Sequence, residues 1–251
     1  MLSTFFTGHL WFLPTLFFVS VVVLPLLFYL RSESGQRFID RLAGWCSRRG
    51  GIFLLAIPIV IARIALMSLF RGQLSWADVI FYAVLFLIGY VLMADDRFTE
   101  SIKRHGWAAL GLGIVAFGGE GLFLLALNYN MYNTPFSLQF ILFQSIFGIG
   151  TLSWIVFLMS MGAKYLNKKS NLLTYASEAV LPFYIFHQTV ILCIGWFVIR
   201  WNMGILPKLL IVIVTSFAAT LILYDVFVRN SNVMRFFFGM RPKKQSVPPT
   251  P

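Results

Sequence analysis

Residues 177–191 read SEAVLPFYIFHQTVI, a run that starts with a carboxylate, Glu178, and sinks His187 and Gln188 into a segment otherwise suited to hydrocarbon. An ionisable side chain on a membrane helix turns toward protein or a water-filled cavity, because lipid exposure costs roughly 2.5 kcal/mol or more. His187 is therefore a site candidate. Interhelical hydrogen bonding by His and Gln explains the same residues without chemistry. Tyr184 and Gln188 are four apart and share a helical face, as do Phe183 and His187. Glu178 precedes His187 by nine residues, half a turn out of phase and about 13 Å away at helical rise. The two cannot form a direct acid/base pair, and Glu178 is expected to cap a helix N-terminus, where its charge complements the dipole.

The chain around this stretch is 251 residues long, 59% apolar and only 12% charged, with a mean hydropathy of +0.83. Soluble domains carry about 25% charged residues, so this composition excludes a water-soluble core and indicates an all-α polytopic transmembrane bundle. Seven spans are expected, at about 8–30, 52–70, 78–93, 107–127, 138–161, 178–199 and 207–228. They form one membrane domain over 1–228, followed by a basic, Pro-rich tail over 229–251 that is expected to be mobile. The segment 31–51 has room for a short surface helix, whereas 94–106 reads as a loop or short amphipathic turn, with His105 facing water. The uncharged stretch 128–137, NYNMYNTPFS, reads as an outer loop. Pro14 and Pro25 are expected to bend the first span.

Placement of charge sets the sidedness. Basic residues number five, three, three and five in 31–51, 94–106, 162–177 and from 229 onward, against Arg71, Arg200 and Lys208 on the other face, with Arg63 inside a span. The positive-inside rule then puts the N-terminus outside and the C-terminus in the cytoplasm. The net charge of +11 is thereby a matter of topology, not of nucleic-acid binding.

Two further residues are out of place in hydrocarbon. Arg63 lies well inside the second span, where it either snorkels to the outer interface or meets an anion within the bundle. Glu120 lies in the outer half of the fourth span among Gly118, Gly119 and Gly121, protonated or paired with Arg63. Cys46 and Cys193 offer neither a disulfide framework nor metal-ligand spacing, and no phosphate-binding loop or nucleophile elbow occurs. The residues thus assign no catalytic group, no metal and no bound cofactor.

GHLWFL at 8–13 and EAVLPFYIFHQTVI at 178–191 together resemble the acyltransferase-3 family of integral membrane proteins. The second stretch is similar to the branch of the glucan biosynthesis protein C group, glucan succinyltransferases. The resemblance implies transfer of an acyl group, acetyl or succinyl, from acyl-CoA to a hydroxyl of an extracytoplasmic glycan at a bacterial inner membrane. His187, Tyr184, Gln188, Glu120, Arg63 and Glu178 would line or brace the path. It also implies about ten spans and a catalytic His on or near the first. This chain looks like the last seven of them, which is the topology the charges give. The expectation is an N-terminally truncated enzyme, inactive alone unless the missing helices come from upstream or from another chain, and neither His9 nor His187 inherits the catalytic role. The alternative is a non-enzymatic permease or assembly subunit for glycan export, in contact with membrane lipid.

Overall fold

A computed structural model describes residues 8–70, 75–127, 135–168 and 170–242, apart from the side chains of Gly8 and His9. The described chain is helical, with no strand among those residues. The elements are α1 (Phe12–Arg31), α2 (Glu33–Cys46), α3 (Ala56–Leu69), α4 (Trp76–Leu92), α5 (Asp96–Gly121), α6 (Leu138–Met161), α7 (Asn171–Val198), α8 (Ile205–Leu223) and α9 (Asn232–Phe237). Short 3-10 turns precede α1 and α3, and π turns extend α5, α6 and α8. The chain divides into two units, 1–168 and 169–251.

Among the described residues six helices are long and apolar enough to cross a membrane, and Trp76–Leu92 is a shorter apolar helix. The chain is an integral membrane protein. The expected span at 78–93 corresponds to this shorter element, and those at 8–30 and 138–161 correspond to α1 and α6. Helix α1 runs through Pro25, and α7 through Pro182.

Three expectations fail for physical reasons. The segment 94–106 is no loop: Asp95 caps α5, accepting a hydrogen bond from Arg97 N at 2.9 Å, and Phe98 and Ile102 bury one face of a continuous helix. His105 is correspondingly half-buried. Its Nε2 accepts from Gly50 N at 3.0 Å while Nδ1 lies 2.8 Å from the Ser101 carbonyl. The span expected from residue 178 starts at Asn171 under a Ser170 cap. Lastly, the tail from 229 is helical over Asn232–Phe237, held by Phe238 and Met240 against Ala179, Tyr224 and Val228. Residues 71–74, most of the expected outer loop (128–134) and residues 243–251 lie outside the described residues.

In the first unit α2 is the surface helix the sequence allows. Gly35, Ile39, Ala43 and Cys46 form its buried face, joined to Phe98 and Ile102 of α5 and to Ile52 and Leu92. Ser101 Oγ donates to Cys46 O at 2.7 Å, Arg104 to Ser47 O at 3.1 Å, and Arg97 to Asp40 at 2.6 Å. Burial pushes the Cys46 thiol up to about 11, which leaves it inert as a nucleophile. Helix α6 packs against α5 and α3, and α4 against α3 and α1. Gly148 brings α6 onto α3 so closely that a Cβ there would lie 2.7 Å from Val60 Cγ2. Small residues at such crossings let membrane helices approach. In the second unit α7 packs against α8.

Candidate functional site

His187 sits near the middle of α7, one turn after Phe183, and the two rings stack with centroids 6.0 Å apart and planes 6° from parallel. Its Nδ1 lies 2.7 Å from the Tyr184 carbonyl. A carbonyl can only accept, so Nδ1 carries a proton, and in the neutral ring Nε2 holds the lone pair. A side-chain bond to the carbonyl three residues back thus fixes which nitrogen can act as a base. His187, Tyr184, Phe183 and Tyr175 of α7, with Phe217 and Leu221 of α8, line a groove of about 620 Å³ whose walls are almost wholly apolar. Gln188 is half-buried and is not among the residues lining this groove.

Glu178 does not cap α7; it lies two turns inside. Both terminal nitrogens of Arg235 donate to its Oε2, at 3.2 and 3.3 Å, while Arg235 Nε donates to Arg241 O at 2.7 Å. Arg235 is buried. Nearby, Tyr175 OH donates to Asp225 Oδ2 at 3.1 Å, and Arg229 pairs with the other Asp225 oxygen at 3.2 Å. Sequence reasoning missed Arg235 and its partnership. The available signal was Ser231 three residues before Met234, a cap-and-turn pattern inside an apparent tail.

In the first unit Arg63 does not snorkel to an interface. It is buried, its Nε donates to Gln144 Oε1 at 3.0 Å, and its guanidinium lies 4.1 Å from the Phe147 ring centroid and 5.2 Å from that of Phe81. Cation–π contact and a charge-assisted hydrogen bond stand in for water around the charge. Glu120 of α5 faces α6 at Gly150, where an added Cβ would come within 3.3 Å of its Oε1. The structure therefore groups the six candidates by unit: Arg63 and Glu120 in the first, with Gln144 added, and His187, Tyr184, Gln188 and Glu178 in the second.

The family model of an acyltransferase domain, acyltransferase 3, matches residues 1–225. The chain belongs to the acyltransferase-3 family. The acyltransferase-3 match takes in α1 to α8 and includes Asp225, and it ends before Arg229 and the Arg235 of α9. No curated protein matches the chain, and no solved structure does. Within an acyltransferase-3 domain, an imidazole whose Nδ1 is bonded to a backbone carbonyl and which lines an apolar groove is suited to meet an alcohol through its other nitrogen.

Proposed function

We propose that this membrane acyltransferase-type chain moves an acetyl or succinyl group from acyl-CoA to a hydroxyl of an extracytoplasmic glycan at a bacterial inner membrane, as in the glucan biosynthesis protein C branch. The observation that carries the reading is the Nδ1 bond from His187 to the Tyr184 carbonyl, which leaves Nε2 as the acceptor. In the reaction the hydroxyl oxygen attacks the thioester carbonyl, the C–O bond forms, the C–S bond breaks, and CoA leaves as a thiolate that takes up a proton. His187 Nε2 accepts a hydrogen bond from that hydroxyl and orients it, Tyr184 shares the groove, and the hydroxyl proton passes by way of the unassigned catalytic group to the CoA thiolate. Within the second unit, Glu178 braces α7 through its bond to Arg235, and within the first, Arg63 braces α3 against Gln144 of α6. The principal catalytic group of the family is not assigned to any residue here.

The accompanying topology is seven spans with the N-terminus outside, α4 counting as a span. Hydrogen bonds that join the 40–50 region to residues 97–105 support it, because they hold both ends of the α3–α4 pair at one membrane face.

The test uses membranes containing the 251-residue chain, and in parallel the chain extended through any open frame upstream of Met1. Labelled acetyl- or succinyl-CoA and a glycan oligosaccharide are supplied. Transfer that falls about 10-fold in His187→Ala at equal membrane levels supports the role, the size expected for loss of one orienting hydrogen bond of about 1.4 kcal/mol. Undiminished transfer by that variant removes His187 from the site. Glycan transport by the purified chain with no acyl transfer in either form favours the permease or assembly-subunit reading.

A further inference from the structure

The exposed side of α2 is not uniform. At about 100° per residue, the buried stripe of Gly35, Ile39, Ala43 and Cys46 is flanked on one side by Asp40, which bonds Arg97 of α5. On the other side lie Phe38 and Trp45, two turns apart and 50% and 59% exposed. Beyond these aromatics come Arg37 and Arg41, one turn apart and both exposed, and the turn after the helix adds Arg48. Arg37 contacts Glu33 at 3.4 Å, but both are so open to solvent that the pair binds weakly. Helix α1 ends at Arg31 and α3 starts at Ala56. Both are candidate spans, so α2 between them stays at one membrane face.

Core, then aromatics, then arginines is the order in which a helix lying in the membrane plane meets protein, the acyl boundary and headgroups. We propose that α2 is an anionic-phospholipid site: Phe38 and Trp45 seat it at the acyl boundary, and Arg37, Arg41 and Arg48 bind headgroup phosphates. Charge complementarity selects this occupant, because cytoplasmic leaflets carry the negative lipids that such clusters attract. Planar guanidinium groups suit phosphate oxygens.

The purified full chain in detergent is titrated with phosphatidylglycerol or phosphatidylcholine, and bound lipid is counted by native mass spectrometry. Wild type should prefer phosphatidylglycerol, and the preference should weaken with salt. Arg37→Gln/Arg41→Gln/Arg48→Gln should lower phosphatidylglycerol affinity by about 100-fold while phosphatidylcholine binding stays. The corresponding triple Lys variant, which keeps the charge, should retain most of it. Unchanged retention by the Gln variant, or equal loss in the Gln and Lys variants, overturns the proposal. Displacement of the lipid by free CoA also overturns it, since the phosphate source would then be soluble.

Discussion

Removing the Glu178 carboxylate should loosen α9 selectively. Arg235 keeps only 6% of its side-chain surface exposed, and Glu178 keeps 41%. Deleting one partner of a fully buried ion pair costs about 3–5 kcal/mol, because the remaining charge stays desolvated. Here water reaches the Glu178 side, and Arg235 keeps its bond to Arg241 O. The loss in Glu178→Ala should therefore be about 1–2 kcal/mol, a 5- to 30-fold change in the opening equilibrium. Hydrogen exchange read by mass spectrometry on peptides covering 232–240 measures it directly, with peptides from α5 and α6 as internal controls. Arg235→Met removes the charge along with its desolvation cost, so it should loosen α9 less than Glu178→Ala does. Equal protection of α9 in Glu178→Ala and wild type refutes the reasoning. So does a greater loss in Arg235→Met, which would show that the arginine acts through packing and the Arg241 contact alone.

Gly148→Val should lower thermal stability in detergent by about 1–3 kcal/mol, since the new side chain meets Val60, while Gly118→Ala, facing open space, should leave it unchanged; equal melting of the two variants would dismiss the close-crossing argument. Side-chain and backbone hydrogen bonds from Arg97 hold the Asp95 carboxyl below its usual range, so its contribution is present above the ordinary value near pH 4 and is lost as pH falls through the depressed one. Asp95→Ala should lose about 1 kcal/mol of cap stability at pH 7 and show a shallower acid limb in melting temperature against pH; an acid limb as steep as wild type contradicts this. Reporter fusions within 128–134 and 201–204 should both read out on the extracytoplasmic side, and a fusion after 242 on the cytoplasmic side; opposite sides for the first two would break the seven-span reading.

What the sequence revealed depended on how far apart the deciding residues lie. Helix α6 is legible at 138–161 because apolar composition runs its whole length and Ser137 caps it, accepting from Phe140 N at 3.1 Å. The start of α5 is harder to see because hydropathy falls where Asp96, Arg97, Glu100, Lys103 and Arg104 alternate with buried Phe98 and Ile102. That segment is helical through tertiary burial of one stripe, and the stripe's partners are some fifty residues upstream. Arg63 is similar. Its anomaly is plain from one span, but the choice between snorkelling and an internal contact rests on Gln144, 81 residues later. For Glu178 the sequence placed a carboxylate correctly at the edge of an apolar run and assigned it the nearest use, a cap. Ser170 already fills that position, and the carboxylate serves an arginine 57 residues away.

The short helix α4 links fold to sidedness. Seventeen residues give about 25 Å of rise, short of a hydrocarbon core of about 30 Å. Length alone therefore leaves a re-entrant element open, and with it the sidedness of every helix that follows. The junction at the other end of α3 carries independent weight. Arg97 to Asp40, Ser101 to Cys46 O, Arg104 to Ser47 O and Gly50 to His105 tie the start of α5 to the α2–α3 connection. If α3 crosses the membrane away from that junction, the chain must cross back before Asp95 to make those bonds, and α4 is the element available for the return. Its shortfall of about 5 Å is within reach of local bilayer thinning. Asp78 is tied down at one end by Ser75 N at 3.0 Å, and Asp95 by Arg97 at the other. The same bonds place the basic α2 and the basic start of α5 on one face, which is the grouping that the positive-inside rule requires of them. Charge placement and hydrogen bonding, two observations with no residue-level reason to agree, therefore support the same grouping of these segments, while the choice of face rests on charge alone.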